Sequence, residues 1–134
     1  MSSKNALLHY AMTVWLQRLA IRGGWAQLMH VRECYNKTYK AGLIGCGSIG
    51  ARYDERKLDN NIYTHAGLYH HSKRFEFACA ADNDTKRLKE FGRYWKVDKL
   101  YDNPVRMLRN HQIDVLSIAT PDKTHYKLIL NALN

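Results

Sequence analysis

The chain has 134 residues, of which 46% are hydrophobic and 25% charged, and its formal net charge is +9. That length suits one domain, and that apolar fraction is ample for a core. Three cysteines, Cys34, Cys46 and Cys79, are an odd number without metal-ligand spacing. This argues against a disulfide-stapled secreted scaffold or a zinc module and fits a reduced, cytoplasmic setting.

Residues 1–38 read as a helical extension. Asn5–Ile21 carries Leu8, Met12, Trp15 and Leu19 along one stripe, Gly23-Gly24 ends it, and Trp25–Cys34 can form a second helical piece. The first forty residues hold six Lys/Arg and one acid, a net +5, which leaves +4 for the remainder. Three roles compete: an extension packed on the domain or a non-native start, an organellar transit segment, and a surface-seeking or partner-binding helix. A membrane span is excluded because Gln17, Arg18 and Arg22 interrupt the apolar run well short of about 20 residues.

The run Tyr39-Lys40-Ala41-Gly42-Leu43-Ile44 is a short apolar strand, and it leads directly into Gly45-Cys46-Gly47-Ser48-Ile49-Gly50. Strand followed by G-x-G-x-x-G is how a dinucleotide-binding βαβ unit begins. Gly45 permits the tight turn, Gly47 lets the backbone approach a pyrophosphate, and Gly50 lets the next helix pack on the sheet. The pyrophosphate then sits over free N–H groups at a helix start, where the dipole favours negative charge.

A second apolar run, Phe75-Glu76-Phe77-Ala78-Cys79-Ala80-Ala81, closes in Asp82, the expected partner of the adenosine ribose hydroxyls. Asp82 lies 32 positions beyond Gly50, whereas a compact unit needs roughly 20. An insertion of about a dozen residues therefore falls between Arg52 and Lys73. The charged, turn-rich segment Asp54–Asn61 is its natural place.

The alternation continues. Asn83-Asp84 can cap a helix from Thr85 to about Tyr94, with Leu88, Phe91 and Trp95 facing a sheet. A short strand is expected at Lys99–Tyr101. Asp102-Asn103-Pro104 then supplies a cap and an N1 proline for a helix over Val105–Asn110. Ile113–Ala119 suits a buried parallel strand. Thr120-Pro121-Asp122 breaks it and starts a last helix, Lys123–Leu133. The expected fold is α/β, a doubly wound, mostly parallel Rossmann-like sheet with strand order 3-2-1-4, incomplete and preceded by the helical extension.

Three segments together, Gly42–Gly50, Ala80–Asp84 and Ile113–His125, resemble the N-terminal domain of the Gfo/Idh/MocA family, the glucose-fructose oxidoreductase and inositol dehydrogenase-like enzymes. The insertion carrying Tyr63-Thr64-His65-Ala66-Gly67 is similar to a variant within it. The resemblance covers about residues 40–134, giving a division into 1–38 and a 39–134 NAD(P)-binding domain. It implies that Gly45, Gly47 and Gly50 line the pyrophosphate, with Cys46, Ser48 and Ile49 contributing backbone donors, and that Asp82 holds the adenosine ribose. It places Ala119, Thr120 and Pro121 beneath the nicotinamide ribose. His125 matches the family's histidine, either contacting cofactor or hydrogen-bonding backbone at a helix start.

In the family a Glu-Lys-Pro-like strand end supplies a lysine near the nicotinamide, and a further domain supplies the substrate pocket. The sequence stops at Asn134, where that strand is due, so the chain is expected to be truncated, to bind cofactor without turnover, and to have no assignable catalytic residue. The implied reaction is hydride transfer between a nicotinamide and a CH–OH carbon of a sugar or polyol in a full-length protein. Asp82 favours NAD over NADP, since a carboxylate accepts from ribose hydroxyls and repels a 2′-phosphate. Lys86 and Arg87 read as solvated surface. The fourth strand leaves an uncovered sheet edge, which predicts self-association and low solubility. Competing classes are a non-catalytic dinucleotide-binding protein, a basic nucleic-acid module, disfavoured by dispersed charge and the lack of a motif, and a methyltransferase, disfavoured by the Thr120–His125 segment.

Overall fold

Short apolar runs set the strands here, and side-chain caps at Thr64, Asp84 and Asn103 open three of the helices. The computed structural model describes residues 37–133, so the helices expected at Asn5–Ile21 and Trp25–Cys34 lie outside the described residues. Strands β1 (Tyr39–Ile44), β2 (Phe75–Ala81), β3 (Leu100–Tyr101) and β4 (Val115–Ile118) form one parallel sheet in the order β3-β2-β1-β4. This is the expected 3-2-1-4 arrangement. After β1 come a π-helical turn, Ser48–Arg52, and the short helix α1 (Tyr53–Arg56), then α2 (His65–His71). The remaining helices are α3 (Thr85–Trp95), α4 (Pro104–Asn110) and, after a 3-10 turn at Asp122–Thr124, α5 (His125–Leu133).

Right-handed crossovers distribute the helices over both sheet faces. On one face Leu43, Cys46, Ala66 and Ala80 pack with Leu88, Phe91 and Trp95 of α3. On the other, Ile44, Cys79, Ala81 and Met107 pack with Leu116, Ile118 and Leu128. The α3 stripe falls as the periodicity predicts, and its cap forms: the Asp84 carboxylate accepts from the N–H groups of Lys86 and Arg87. Asn103 does the same for Val105 and Arg106 ahead of Pro104 at the start of α4.

The β1–β2 register contains a bulge. Ala41 pairs with Phe77 but Gly42 pairs with Cys79, so one residue of β2 is passed over. Ala78 and Cys79 consequently both face the second core cluster, while Phe77 and Ala80 face the first.

The last helix begins at His125 rather than Lys123, behind the 3-10 turn. The strand at Ile113–Ala119 is shorter, Val115–Ile118, and half-buried throughout rather than buried. It pairs only with β1 among the described residues, so its outer side lacks the cover that a central parallel strand receives. Within the segment that carries the insertion, Asp54 lies in α1 rather than in a turn. Asp54 is buried. Its Oδ1 accepts from Tyr63 N–H (3.0 Å), and its Oδ2 accepts from Thr64 N–H (3.0 Å) and the Thr64 hydroxyl (2.6 Å). Lys57 Nζ lies 3.3 Å from Oδ1. Thr64 in turn accepts from Gly67 N–H and caps α2, so one carboxylate fastens the returning loop to α1. At the far side of α2, Ser117 of β4 bonds both His65 Nδ1 (3.1 Å) and the Tyr69 hydroxyl, tying the inserted helix to the sheet.

Burial alone raises the Asp54 pKa, but the Thr64 hydroxyl, the two N–H donors and Lys57 outweigh it and hold the carboxyl below the usual range. A lowered folded pKa gives stability that is complete above the unfolded value of about 3.9 and is lost as pH falls through the folded one. Asp54→Asn is expected to cost about 2 kcal/mol at neutral pH and to flatten the fall in Tm below about pH 4. Thermal unfolding of both proteins across that range measures it.

Candidate functional site

The carboxyl ends of β1, β2 and β4 open into one cavity of about 980 Å³, the place where open α/β sheets bind ligands. The glycine turn forms its floor. Gly45 leaves β1 at φ +95°, a conformation that disfavours any side chain, and its N–H donates to Ala81 O at 2.8 Å. A Cβ on Gly45 would also lie 2.7 Å from Ala119 O, and one on Gly50 would sit inside the van der Waals envelope of the Gly45 carbonyl oxygen. Gly47 differs. Its φ of −77° is open to any residue, a Cβ there would meet nothing within 4 Å, and it lies on the cavity wall.

Gly47 O accepts from both Ala51 N–H (2.9 Å) and Arg52 N–H (3.1 Å), which winds the following turn wider than an α-helix. The N–H groups of Ser48 and Ile49 precede the first donor of that turn, Ala51 N–H, so they have no helical partner, and both residues line the cavity, where they can serve an anion.

Asp82 leaves β2 beside this turn, with its carboxylate almost wholly buried. Oδ2 accepts from Cys46 N–H at 2.8 Å and Oδ1 from Asp84 N–H at 2.9 Å. Arg87 Nη1 reaches both oxygens, at 3.3 and 3.4 Å, and its Nη2 pairs with Asp84 at 3.0 Å. Opposite, the Thr120 hydroxyl donates to Thr124 Oγ1 at 2.7 Å, and the Thr124 hydroxyl donates to Pro121 O at 2.7 Å. This holds the turn after β4 rigid.

Of the residues singled out by sequence, Gly45, Gly47, Ser48, Ile49, Asp82, Ala119, Thr120 and Pro121 line this cavity. Cys46, Gly50 and His125 do not. The Cys46 N–H is spent on Asp82 and its side chain is fully buried, while Gly50 is packed behind the turn. His125 donates from Nε2 to Thr120 O at 2.7 Å, the backbone-bonded role, and so steadies the β4 turn from behind. Burial, and then the Asp82 carboxylate, push the Cys46 thiol far upward. In the folded protein Cys46 is expected to resist a thiol reagent at pH 8, with mass spectrometry finding it labelled only after denaturation.

Sequence reasoning missed part of the wall. Asn83, Arg87, Asn103, Val105, Lys123 and Lys127 are among the residues that also line it. The cap signal at Asn103-Pro104 marked a helix start, but only strand order brings that start beside the turn after β4. Arg52, Arg87, Lys123 and Lys127 outnumber Asp82 on this wall, which gives it an excess of positive charge.

A D-apiose dehydrogenase of Paraburkholderia graminis is 27% identical over 93 residues, covering 69% of this chain and 22% of its own length. The structure of an oxidoreductase from Agrobacterium radiobacter in complex with NAD+, L-tartaric acid and magnesium superposes with a TM-score of 0.57 at 26% identity, over 72% of this chain and 25% of that one. A scyllo-inositol dehydrogenase from Lactobacillus casei, with bound NAD(H) and scyllo-inositol, shares the fold with a TM-score of 0.57 at 21% identity, over 73% of this chain and 26% of that one. The chain therefore spans about a quarter of the length of the relatives it matches. Residues 39–134 match the Gfo/Idh/MocA model, described as an oxidoreductase family with an NAD-binding Rossmann fold, and the chain belongs to that family.

Proposed function

We propose that residues 39–134 bind NAD across the carboxyl ends of β1, β2 and β4, and that in the whole protein this domain serves hydride transfer between the nicotinamide and a CH–OH carbon of a sugar or polyol. The observation that carries this reading is the contrast among the three glycines. Gly45 and Gly50 are closed against protein atoms, whereas Gly47, with ordinary backbone angles, faces open space in the cavity. A cradle that a Cβ would fill fits a diphosphate lying on the backbone.

Ser48 and Ile49 N–H groups would hold the diphosphate, Asp82 the adenosine ribose, and the Ala119-Thr120-Pro121 turn would seat the nicotinamide ribose. Once bound, the nicotinamide supplies the carbon that takes or gives the hydride. The chain's own residues bind and orient, and none is assigned to proton transfer.

Residues 1–38 are read as a separate extension, and the edge of β4 that is unpaired among the described residues as a place for self-association. The two free cysteines of the described residues, Cys46 and Cys79, are both buried, and this supports a reducing, cytoplasmic setting. Among the described residues no helix is long and apolar enough to cross a membrane. Titration calorimetry of the folded chain with NAD+ and NADH tests the proposal: saturable one-site binding is expected, and the absence of heat from either dinucleotide would refute it.

A further inference from the structure

Ser48 and Ile49 open a helical stretch that runs from the π-helical turn Ser48–Arg52 directly into α1, Tyr53–Arg56. So short a stretch does not hold its own shape in water, and what fixes it must come from outside. Its start is held by Gly50 against the Gly45 carbonyl and by the buried Ala51. Two carboxylates act at its far end. The bonds of Asp54 run to the inserted loop at Tyr63 and Thr64, and to Lys57. Glu55 reaches a different element: its Oε1 accepts from the Trp95 indole Nε1–H at 2.8 Å. Trp95 is the last residue of α3, is buried, and belongs to the same core cluster as Ala51. Neither Glu55 nor Trp95 lines the cavity, and Glu55 forms no salt bridge among the described residues.

We propose that Glu55 is a positioning residue for the cofactor's diphosphate: its bond to Trp95 holds the Ser48–Arg56 stretch where the Ser48 and Ile49 N–H groups meet the phosphates. The inference rests on the dinucleotide reading of the cavity. Backbone donors serve a ligand only when held within about 0.5 Å of the productive place. Helix α3 supplies the reference for both ends of that ligand. Its first turn pairs Arg87 with Asp82, the acid proposed for the ribose, and its last residue holds Glu55. The 11 residues of α3 span about 16 Å, and Leu88 and Phe91 fix the helix in the core. The bond to the indole needs an acceptor oxygen rather than a charge, so a carboxamide can replace the carboxylate.

Calorimetry on the full chain measures NAD+ affinity for wild type, Glu55→Ala, Glu55→Gln, Trp95→Phe and the Glu55→Ala/Trp95→Phe double variant. Adenosine, which has the ribose but no phosphate, serves as the second ligand, and thermal unfolding accompanies each protein. Glu55→Ala is expected to weaken NAD+ about fivefold or more and adenosine less than about twofold. Glu55→Gln should stay within about twofold of wild type for both ligands. The double variant should bind NAD+ no more weakly than the weaker single one, because both changes remove the same bond. If Trp95→Phe unfolds at the assay temperature, the comparison of Glu55→Ala with Glu55→Gln decides alone. Wild-type NAD+ affinity in Glu55→Ala, equal losses in Glu55→Ala and Glu55→Gln, or an adenosine loss as large as that of NAD+ would overturn the inference while leaving the NAD site standing. Failure of wild type to bind NAD+ would overturn the site reading and the inference together.

Discussion

Replacing Gly50 by alanine is expected to lower stability by about 3 kcal/mol or more, at the upper end of overpacking costs, while the same change at Gly47 leaves stability within about 0.5 kcal/mol of wild type. The difference is steric. A Cβ on Gly50 overlaps the Gly45 carbonyl oxygen, which belongs to the backbone leaving β1 and has no rotamer by which to retreat. The turn would have to lift away from the sheet, and its contact with Ala119 would go with it. A Cβ on Gly47 meets nothing within 4 Å, and its backbone angles suit alanine. The methyl group would stand where the diphosphate is proposed to lie, so NAD affinity should fall about tenfold or more with an unchanged Tm. Thermal unfolding and calorimetry on the two variants separate the effects. A stable Gly50→Ala, or a Gly47→Ala that binds NAD normally, would contradict this account of the turn.

Asp82→Ala should damage both folding and binding. The substitution leaves the N–H groups of Cys46 and Asp84 without their acceptor and removes the buried partner of Arg87. Truncating one side of a buried, hydrogen-bonded ion pair costs about 3–5 kcal/mol. Arg87 retains Asp84, and that pairing should bring the loss toward the lower bound. Denaturant unfolding is expected to show the midpoint shifted with the slope unchanged, and residual folded protein should bind NAD at least about tenfold more weakly. Wild-type affinity in Asp82→Ala would dissociate this carboxylate from the ribose.

Local rules carried a large part of this molecule, and they carried it where neighbours in sequence are also neighbours in space. Leu88, Phe91 and Trp95 share a helix face, Asp84 and Asn103 cap the helices they precede, and the glycines turn the chain where their spacing says. Strand order followed from crossover handedness, since each strand is joined to the next through a helix. What escaped was set by partners far along the chain. Asp54 stood in a run legible only as charged and turn-rich, but the loop returns and directs the N–H groups of Tyr63 and Thr64 at it. Cys46 stood out only by its place inside the glycine turn, but folding encloses it and sets its N–H on Asp82. Arg87 is the exception, since its partners Asp82 and Asp84 lie only five and three positions away. It looked like helix surface because the course of the turn from β2 into α3, which brings them together, is not marked in the sequence. The wall formed by Asn103, Lys123 and Lys127 exists only because β4 lies on the far side of β1 from β3.

The bulge in β2 acts as a phase corrector. The strand brings one residue too many to its pairing with β1, and the dislocation at Ala78 discards the surplus before the chain reaches the ligand end. Were the pairing continuous from Ala41–Phe77 onward, Asp82 would arrive opposite Cys46 instead of Gly45, with its carboxylate turned through the sheet toward α4. A single-residue deletion at this point is therefore silent for the aim of the acid. A single-residue insertion between Cys79 and Asp82 reverses it.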